Sequence, residues 1–593
     1  MQKKRWKFKE TPQDNLVLAL ADSLNISTSL ASILVSRGIT NFFEAKSYFR
    51  PSLESLHDPF LMDGMAEASF RVINAITGNE KICVYGDYDV DGTCSASLMY
   101  LFLKELGANV ETYIPNRITE GYGISLASID YLKEKGIKLI ISVDCGITAV
   151  EEIDHANTYG IDTIVCDHHQ PKDILPNAFA ILDPIKPGCK YPFKHLSGAG
   201  VAFKLARAVG SRIGNKEMAL KYLDLVALAG AADIVPLIDE NRILVKEGLE
   251  LINTNPRPGI RALIRAAKME PGNLTAGQIV FTIAPRINAV GRLGDASRAV
   301  ELFTTEDPQK AEELAMVLED ENLQRRKIDE MTFSHAVSLV EQNCDLDTEY
   351  GLVLHDENWH PGVIGIVASR LVEKFHKPSI MLTTIDGIAK GSARSVPGFN
   401  IYEALQACDD LLLQFGGHEA AAGLAVEIDK IDEFKRRFNA VLKQNLTEND
   451  ILPEIQIDAK IHFSEITPKF VRILNQFSPF GPGNLRPVFM SENVTLVHQP
   501  RLVGTNHLSA TLKQTSPAIY GNGSPYERDK EKVFDAIGFN LGSYVDAIDK
   551  EKNLIDIVYT IEISPANGTK FKDGKLYPQI RIKDILVKER IPT

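Results

Sequence analysis

Cysteine is sparse and unpatterned in this chain of 593 residues. Its seven cysteines (Cys83, Cys94, Cys145, Cys166, Cys189, Cys344 and Cys408) are scattered, mostly in apolar or strand-like stretches, and no two form a Cys-x-x-Cys pair. That argues against a disulfide framework and a zinc ribbon and reads as reduced structural thiols. No run of about 18 apolar residues occurs, so no transmembrane helix is expected. The opening MQKKRWKFKETPQDN is basic, but no apolar stretch follows it. No signal peptide is therefore expected, and the reading is a cytoplasmic protein with no membrane contact. A Gly-x-x-x-x-Gly-Lys-Ser/Thr loop is missing, as are Gly-x-Ser-x-Gly and His-Glu-x-x-His, which argues against an ATPase engine, a serine hydrolase and a zincin. Excess positive charge is lacking too: 65 Lys and Arg face 78 Asp and Glu, a formal net charge of −13. Taken alone, this weighs against non-specific nucleic-acid binding but leaves room for a local basic track.

What is present is ordinary globular composition, 44% hydrophobic and 24% charged, in a chain long enough for three or four domains. Residues 1–60 read as a polar helical segment. From Lys81, the runs KICVYG, ANVETYIP, KLIISVD, DTIVCD and FAILDP alternate with helical stretches closed by Gly107, Gly136 and Gly160. That alternation predicts a parallel sheet with helices on both faces, in a domain over 61–306. Helical periodicity almost free of Gly and Pro predicts a connecting helix at 307–345. A second α/β lobe follows at 346–451. Over 452–593, short alternating strands have the spacing of a small β-barrel, for which an OB-fold is the expectation. NGSPYERDKEK, residues 522–532, reads as an exposed barrel loop.

The stretch VYGDYDVDGT sets Asp87, Asp89 and Asp91 on alternate positions between a strand and a helix. Asp-x-Asp-x-Asp-Gly also opens a calcium-binding EF-hand, but the twelfth position is Leu98 where that loop needs glutamate. SVDC puts Asp144 at the end of another strand, and VCDHHQP puts Asp167, His168 and His169 at the end of a third. Strand C-terminal ends in an open α/β sheet meet at one crevice. Carboxylates and imidazoles open to water, without thiolates, suit Mn²⁺ or Mg²⁺. There are enough of them for two divalent ions, a common arrangement for phosphoryl hydrolysis.

Taken together, DYDVDG, ISVDCGI, CDHH and LAGAADIVPL resemble the four motifs of the DHH phosphoesterase superfamily. Within it, the chain is most similar to the single-strand-specific 5′→3′ exonucleases of bacteria. The resemblance implies metal ligands Asp89, Asp91, Asp144, His168 and Asp233, with Asp144 bridging two ions and Asp87 either a further ligand or an outer carboxylate. The superfamily often has histidine where Tyr85 stands. His169 is expected to face the scissile phosphate and Asp167 to orient a neighbouring imidazole. APRINAVGRLGDA is expected as a loop offering Arg286, Asn288 and Arg292 to the strand. HLSGAGVAFKLA either lends free helix N–H groups to a phosphate or packs tightly. The second lobe resembles the DHHA1 domain. There Gly416, Gly417 and His418, with Ser392 and Arg394, are the expected substrate-binding residues; Ser392 and Arg394 are expected around the 5′ end, with Arg117 of YIPNRITEGYG in the first domain as a third member. His360 is either structural or substrate-facing. On the barrel, Lys469, Arg472, Phe480, Arg486, Arg501, His507 and Lys513 are candidate contacts to a single strand.

The function implied is metal-dependent hydrolysis of single-stranded DNA from its 5′ end to mononucleotides, in repair and recombination. The implied partners are a helicase and a single-strand-binding protein, and a monomer is expected. A phosphodiesterase acting on cyclic dinucleotides or very short oligonucleotides is the enzymatic alternative. A scaffold that only binds single strands is the non-enzymatic one, but it should have lost ligands that are all present here apart from the position of Tyr85.

Overall fold

The computed structural model describes residues 4–117, 119–447, 450, 452–514, 532–563 and 578–589. Most of the expected barrel loop at 522–532 lies outside the described residues. The chain forms two compact units. One runs from Ser52 through the second lobe and also takes in Pro479–Asn484. The other joins the residues up to Pro51 with Leu452–Ser478 and the chain from Leu485 onward.

The first unit begins with a five-stranded parallel sheet made of β1 (Lys81–Tyr85), β2 (Asn109–Tyr113), β3 (Leu139–Val143), β4 (Asp162–Cys166) and β5 (Ala180–Leu182). Residues of β3 are buried on both faces, as the unbroken apolar run LIISV requires of a central parallel strand. The strand order is β2-β1-β3-β4-β5. Direction along the sheet therefore reverses between β1 and β3, the switch point where open α/β sheets hold ligands. Registers Tyr85↔Ser142 and Val143↔Cys166 bring the strand ends level, so the residues following β1, β3 and β4 share one edge. Helices α1 (Val90–Glu105), α2 (Gly198–Arg212) and α3 (Leu223–Ala232) pack into one apolar core with β1 and β3.

APRINAVGRLGDA is not a loop. A five-residue π turn, Ile279–Ile283, leads into helix α4 (Ala284–Leu293). Pro285 near the helix start costs no hydrogen bond there, and Ile287 and Val290 give it an apolar face. Helix α5 (Pro308–Asn343) runs 36 residues. It leads to a mixed sheet of order β9-β10-β8-β7-β6. Its strands are β6 (Leu352–His355), β7 (Ser379–Ile385), β8 (Ile388–Arg394), β9 (Leu412–His418) and β10 (Ala421–Glu427), with helix α6 (Pro361–Phe375) packed on it.

In the other unit, β11 (Phe489–Leu496), β12 (Arg501–Val503), β13 (His507–Lys513), β14 (Val533–Gly538), β15 (Asn553–Ile563) and β16 (Pro578–Glu589) form a barrel. Five of them close a ring, β11-β15-β16-β14-β13, sealed by Thr495↔Lys513. The N-terminal segment is helical at Asp14–Leu24, Thr28–Ser36 and Phe42–Phe49 but opens with a strand, Arg5–Phe8, parallel to Glu454–Ile457. Four mostly exposed residues give no local strand signal. Their partner lies some 450 residues away, so only the tertiary fold creates this pairing.

Candidate active site: a carboxylate cluster beside an arginine pocket

At the end of β1 the chain turns sharply into α1. Gly92 allows it: a Cβ there would sit 2.5 Å from the Asp87 carbonyl oxygen. Asp89 caps α1, accepting from the Gly92 N–H at 3.0 Å. Asp91 is buried and accepts from the Gly198 and Ala199 N–H groups, each at 2.7 Å, and from Ser95 Oγ at 3.2 Å. The amides of the HLSGAG turn thus serve a carboxylate of the protein and do not point freely at a substrate phosphate. Gly198 also presses on the next motif, since its Cβ would lie 2.7 Å from that of Asp144. Asp144, following β3, adopts φ 62°, a left-handed conformation rare for a side-chain-bearing residue. Strain of this kind is held at functional sites by the surrounding fold.

After β4, the Asp167 carboxylate accepts from the N–H groups of His168 (2.8 Å), His169 (3.2 Å) and Ile147 (2.9 Å) and contacts His169 Nδ1 at 2.7 Å. Burial alone would raise the Asp167 pKa, but the hydrogen bond and charge of His169 hold it below the usual range. Burial opposes the charged form of His169, and Asp167 outweighs it, so the imidazole pKa is raised. His168 behaves oppositely. Burial, then the nearby His169, brings it down to about 4, leaving a neutral imidazole. Its Nε2 lies 3.1 Å from Asp144 Oδ1, 3.5 Å from Asp233 Oδ2 and 3.9 Å from Asp91 Oδ2.

Three groups of ligand atoms, each within 4.8 Å of one another, result: Asp87, Asp89 and Asp144; Asp91, His168 and Asp233; Asp144, His168 and His169. Without a cation the cluster is costly. Burial and the neighbouring Asp89 push Asp87 up to about 8 and Asp91 up to about 7. Asp144 and Asp233 are raised well above the carboxylate range by burial and by repulsion from Asp91 and Asp89. Asp87 Oδ1 and Asp233 Oδ2 are buried with no hydrogen-bond partner. Unpaired buried carboxylates with a neutral imidazole are the donor set of a hard divalent cation, so the residues fit Mn²⁺ or Mg²⁺. Tyr85 turns away from the cluster: its hydroxyl donates to the Gly123 carbonyl at 3.0 Å and its ring stacks on Tyr113.

Beside the acid cluster lies a pocket of opposite charge. Arg292 donates to the Gly362 carbonyl at 3.0 Å. Burial, then the charges of Arg117, Arg325 and Arg394, lower its pKa to about 10. Arg394 is lowered by burial and by Arg117. Arg117 lies 5.0 Å above the Tyr88 ring, directly next to the acidic turn. Gly365 of α6 leaves room for Ser392 and Arg394; a Cβ there would meet Arg394 Nη2 at 2.9 Å and Ser392 Oγ at 3.2 Å. Register carries the same rows outward, Ser392↔Gly423↔Gly416 and Arg394↔Ala421↔His418, so the exposed Gly-Gly-His strand lies level with the pocket.

Three family models match: the N-terminal domain of the DHH family over residues 81–230, the DHHA1 domain over 348–444 and the RecJ OB domain over 457–584. The single-stranded-DNA-specific exonuclease RecJ of Bacillus subtilis is 39% identical over 591 residues, which is 99% of this chain and 71% of that protein. RecJ of Escherichia coli is 34% identical over 528 residues, covering 86% and 89% of the two chains. The chain belongs to the RecJ family of single-stranded-DNA-specific exonucleases. Crystal structures of RecJ from Thermus thermophilus in complex with Mn²⁺ and with Mg²⁺ superpose with TM-scores of 0.81 and 0.75. They are 28% and 27% identical, and the matches cover 99% of this chain and 80% and 79% of those chains.

Three of the sequence candidates, Arg286, Asn288 and His360, make contacts within the protein. Arg286 is buried, paired with Glu319 Oε2 at 2.5 Å and bonded to the Thr282 carbonyl at 2.5 Å. Asn288 accepts from the Val90 N–H at 3.1 Å, fastening α4 to the acidic turn. His360 caps α6, accepting from the Gly362 N–H at 3.0 Å. Phe480 belongs to the compact unit of the catalytic sheet, not to the barrel. On the barrel, Lys469, Arg472 and Arg501 are exposed, and Lys513 is half-buried. Arg486 donates to the Ile561 carbonyl at 3.3 Å, and His507 packs 5.0 Å from Phe539. Arg581 lies 4.6 Å over the exposed Phe539 ring, a basic–aromatic platform that sequence reading missed. Two more residues escaped it. Tyr122 has its hydroxyl 3.3 Å from His169 Nδ1, and the TEGYG turn beside Arg117 was its only signal. Arg325, on α5, lies near enough for its charge to act on Arg292, while its own guanidinium donates to Asn322 Oδ1 at 2.9 Å and lies 4.0 Å from Asp329 Oδ2. It sits among the charges of a solvated-looking helix, so no local pattern marked it.

Proposed function

We propose that the chain removes mononucleotides from the 5′ end of single-stranded DNA, with two divalent ions held by Asp87, Asp89, Asp91, Asp144, His168 and Asp233 and Asp144 shared between them. The observation that carries this reading is the adjacency of a cluster of buried and half-buried carboxylates to the half-buried Arg292 and Arg394, whose guanidiniums bond backbone carbonyls. Bound Mn²⁺ or Mg²⁺ would offset the carboxylate charge and activate water for phosphodiester hydrolysis. Asp167 bonds His169 Nδ1 and orients its ring towards the phosphate. Tyr122 limits the rotation of that ring. Arg117, Ser392, Arg394 and Arg292 form the pocket for a terminal phosphate, and Gly416, Gly417 and His418 receive the strand where backbone can approach closely. Fixing one end relative to the carboxylate cluster is what makes cleavage exonucleolytic. Water attacks phosphorus and the 3′ oxygen leaves with a proton, releasing a nucleoside monophosphate. Action beside a helicase and a single-strand-binding protein in repair and recombination, as a monomer, completes the reading.

The test uses internally labelled single strands blocked at the 5′ or the 3′ end, with Mn²⁺, Mg²⁺ or EDTA, and the wild type beside Asp144→Ala. Mononucleotide release that needs metal, is abolished by the 5′ block and is lost in the variant is the expected result. Release that only the 3′ block stops overturns the polarity. Cleavage confined to di- to pentanucleotides favours a small-substrate phosphodiesterase.

A further inference from the structure

Asp233 lies at the C-terminal end of α3, where the helix stops and a short loop, Ile234–Ile238, leads to the next helix, Asp239–Thr254. Ile234 adopts φ 62° and is 72% exposed. A β-branched side chain strongly disfavours that left-handed conformation. No apolar burial compensates at this residue, so its conformation must be imposed from further along the chain. Two anchors do this. Asn241 Nδ2 donates to the Pro236 carbonyl at 3.1 Å and to the His195 carbonyl at 2.5 Å. On the other side, the Leu237 N–H donates to the Pro482 carbonyl at 2.7 Å.

Pro482 lies in a distant part of the sequence, within FGPGN. Although the residues on either side, Ser478 and Leu485, are grouped with the barrel unit, Pro479–Asn484 is part of the catalytic unit. The turn is closed on itself by reciprocal Gly481–Asn484 backbone bonds of 3.2 and 3.0 Å and by Asn484 Nδ2 donating to the Pro479 carbonyl at 2.7 Å. Its glycines lie tightly against the loop. A Cβ at Gly481 would be 2.6 Å from Leu237 Cδ1, and one at Gly483, φ 69°, would be 3.2 Å from Pro236 Cβ and Ile238 Cγ2. Leu237 is only 1% exposed and has nowhere to retreat.

We propose that the Pro479–Asn484 turn is a positioning element for the metal centre: by holding Leu237 it keeps Ile234 left-handed and Asp233 aimed at His168. This rests on Asp233 being a metal ligand, as proposed above. Outer supports of ligands typically alter metal affinity by roughly 10–100-fold. The experiment is Mn²⁺ titration calorimetry on the full-length chain, with thermal melts in EDTA run in parallel. Gly481→Val is expected to weaken Mn²⁺ binding about tenfold. Adding Leu237→Ala to it, which makes room for the new methyls, is expected to restore most of the affinity. Gly481→Ala, a smaller intrusion, should show a lesser loss and keeps the test alive if the valine variant does not fold. Unchanged Mn²⁺ affinity beside a lowered melting temperature would make the turn merely structural and overturn the proposal. Failure of Leu237→Ala to rescue would also overturn it. Asp233→Asn is the control. If it weakens Mn²⁺ binding and the turn variants do not, the turn proposal alone fails. If Asp233→Asn leaves affinity unchanged, the ligand assignment fails and the turn proposal with it.

Discussion

The carboxylate cluster and the arginine pocket are built by the same means with opposite signs. In the first, Asp87, Asp91 and Asp144 are buried and Asp233 half-buried, and all four are raised in pKa by burial and by neighbouring carboxylates. In the second, Arg292 and Arg394 are half-buried, and their pKa values are lowered by that burial and by other arginines. Burying a like-charged group unpaired costs several kcal/mol per ion, so neither pocket exists for stability. In the function proposed above, each is completed by a ligand of the other sign: cations for the acids, a phosphate for the guanidiniums. Contrast the buried Lys204–Glu240 pair, 2.5 Å apart, which neutralises itself and supports the fold. Where a buried charge has its partner inside the protein it is architecture. Where the partner is missing, it marks a site.

The comparison is broken most directly at Asp144, which belongs to two of the three ligand groups. Asp144→Ala is expected to reduce exonuclease turnover about a thousandfold or more, since metal-assisted charge stabilisation is worth several kcal/mol. Calorimetric Mn²⁺ binding should weaken with it, and turnover within tenfold of wild type would remove the cluster from the chemistry. Next comes the other pocket. Arg394→Ala should raise KM for 5′-phosphorylated single strands about 10–100-fold, the loss of a charge-assisted hydrogen bond of roughly 1.5–3 kcal/mol, while Mn²⁺ affinity stays unchanged. Loss of metal binding in that variant would show that the two pockets are not separable.

Asp87→Asn sharpens the argument by its sign. In EDTA at pH 9, above the Asp87 pKa of about 8, removing one uncompensated buried charge is expected to raise the melting temperature by about 2–4 °C per kcal/mol recovered. With saturating Mn²⁺ the same substitution should lower it relative to wild type. A fall in both conditions would mean that the carboxylate is satisfied within the protein. The smallest effect is expected on the barrel, where charges are exposed and screened. Arg581→Ala, beside Phe539, should weaken single-strand binding by a few-fold at low salt and reduce the salt slope by about one contact. An unchanged slope would exclude that platform from the path of the strand.

Much of the catalytic sheet was legible because its signals are local. Apolar runs of strand length, each ended by an acidic or imidazole residue, need no partner to be recognised, and parallel topology then carries their ends to one edge. Helix α4 was misread because a Gly- and Arg-rich stretch with a proline resembles a loop, whereas the proline sits at the one helical turn that tolerates it. Arg286 and Asn288 were legible as polar residues near the crevice. That they hold Glu319 and the Val90 amide depends on how α4 packs against α5 and α1.

By itself, then, the sequence determined which side chains bear the chemistry and on which strand ends and turns they stand, because residue type and period are properties of neighbours. Tertiary structure alone decided which charges remain unpaired. Arg292 donates to the Gly362 carbonyl of the second lobe, the amides at Gly198 are consumed by Asp91, and Pro482 meets Leu237 across some 245 residues. Whether a buried charge or amide is satisfied depends on groups far along the chain, and only packing brings them within reach.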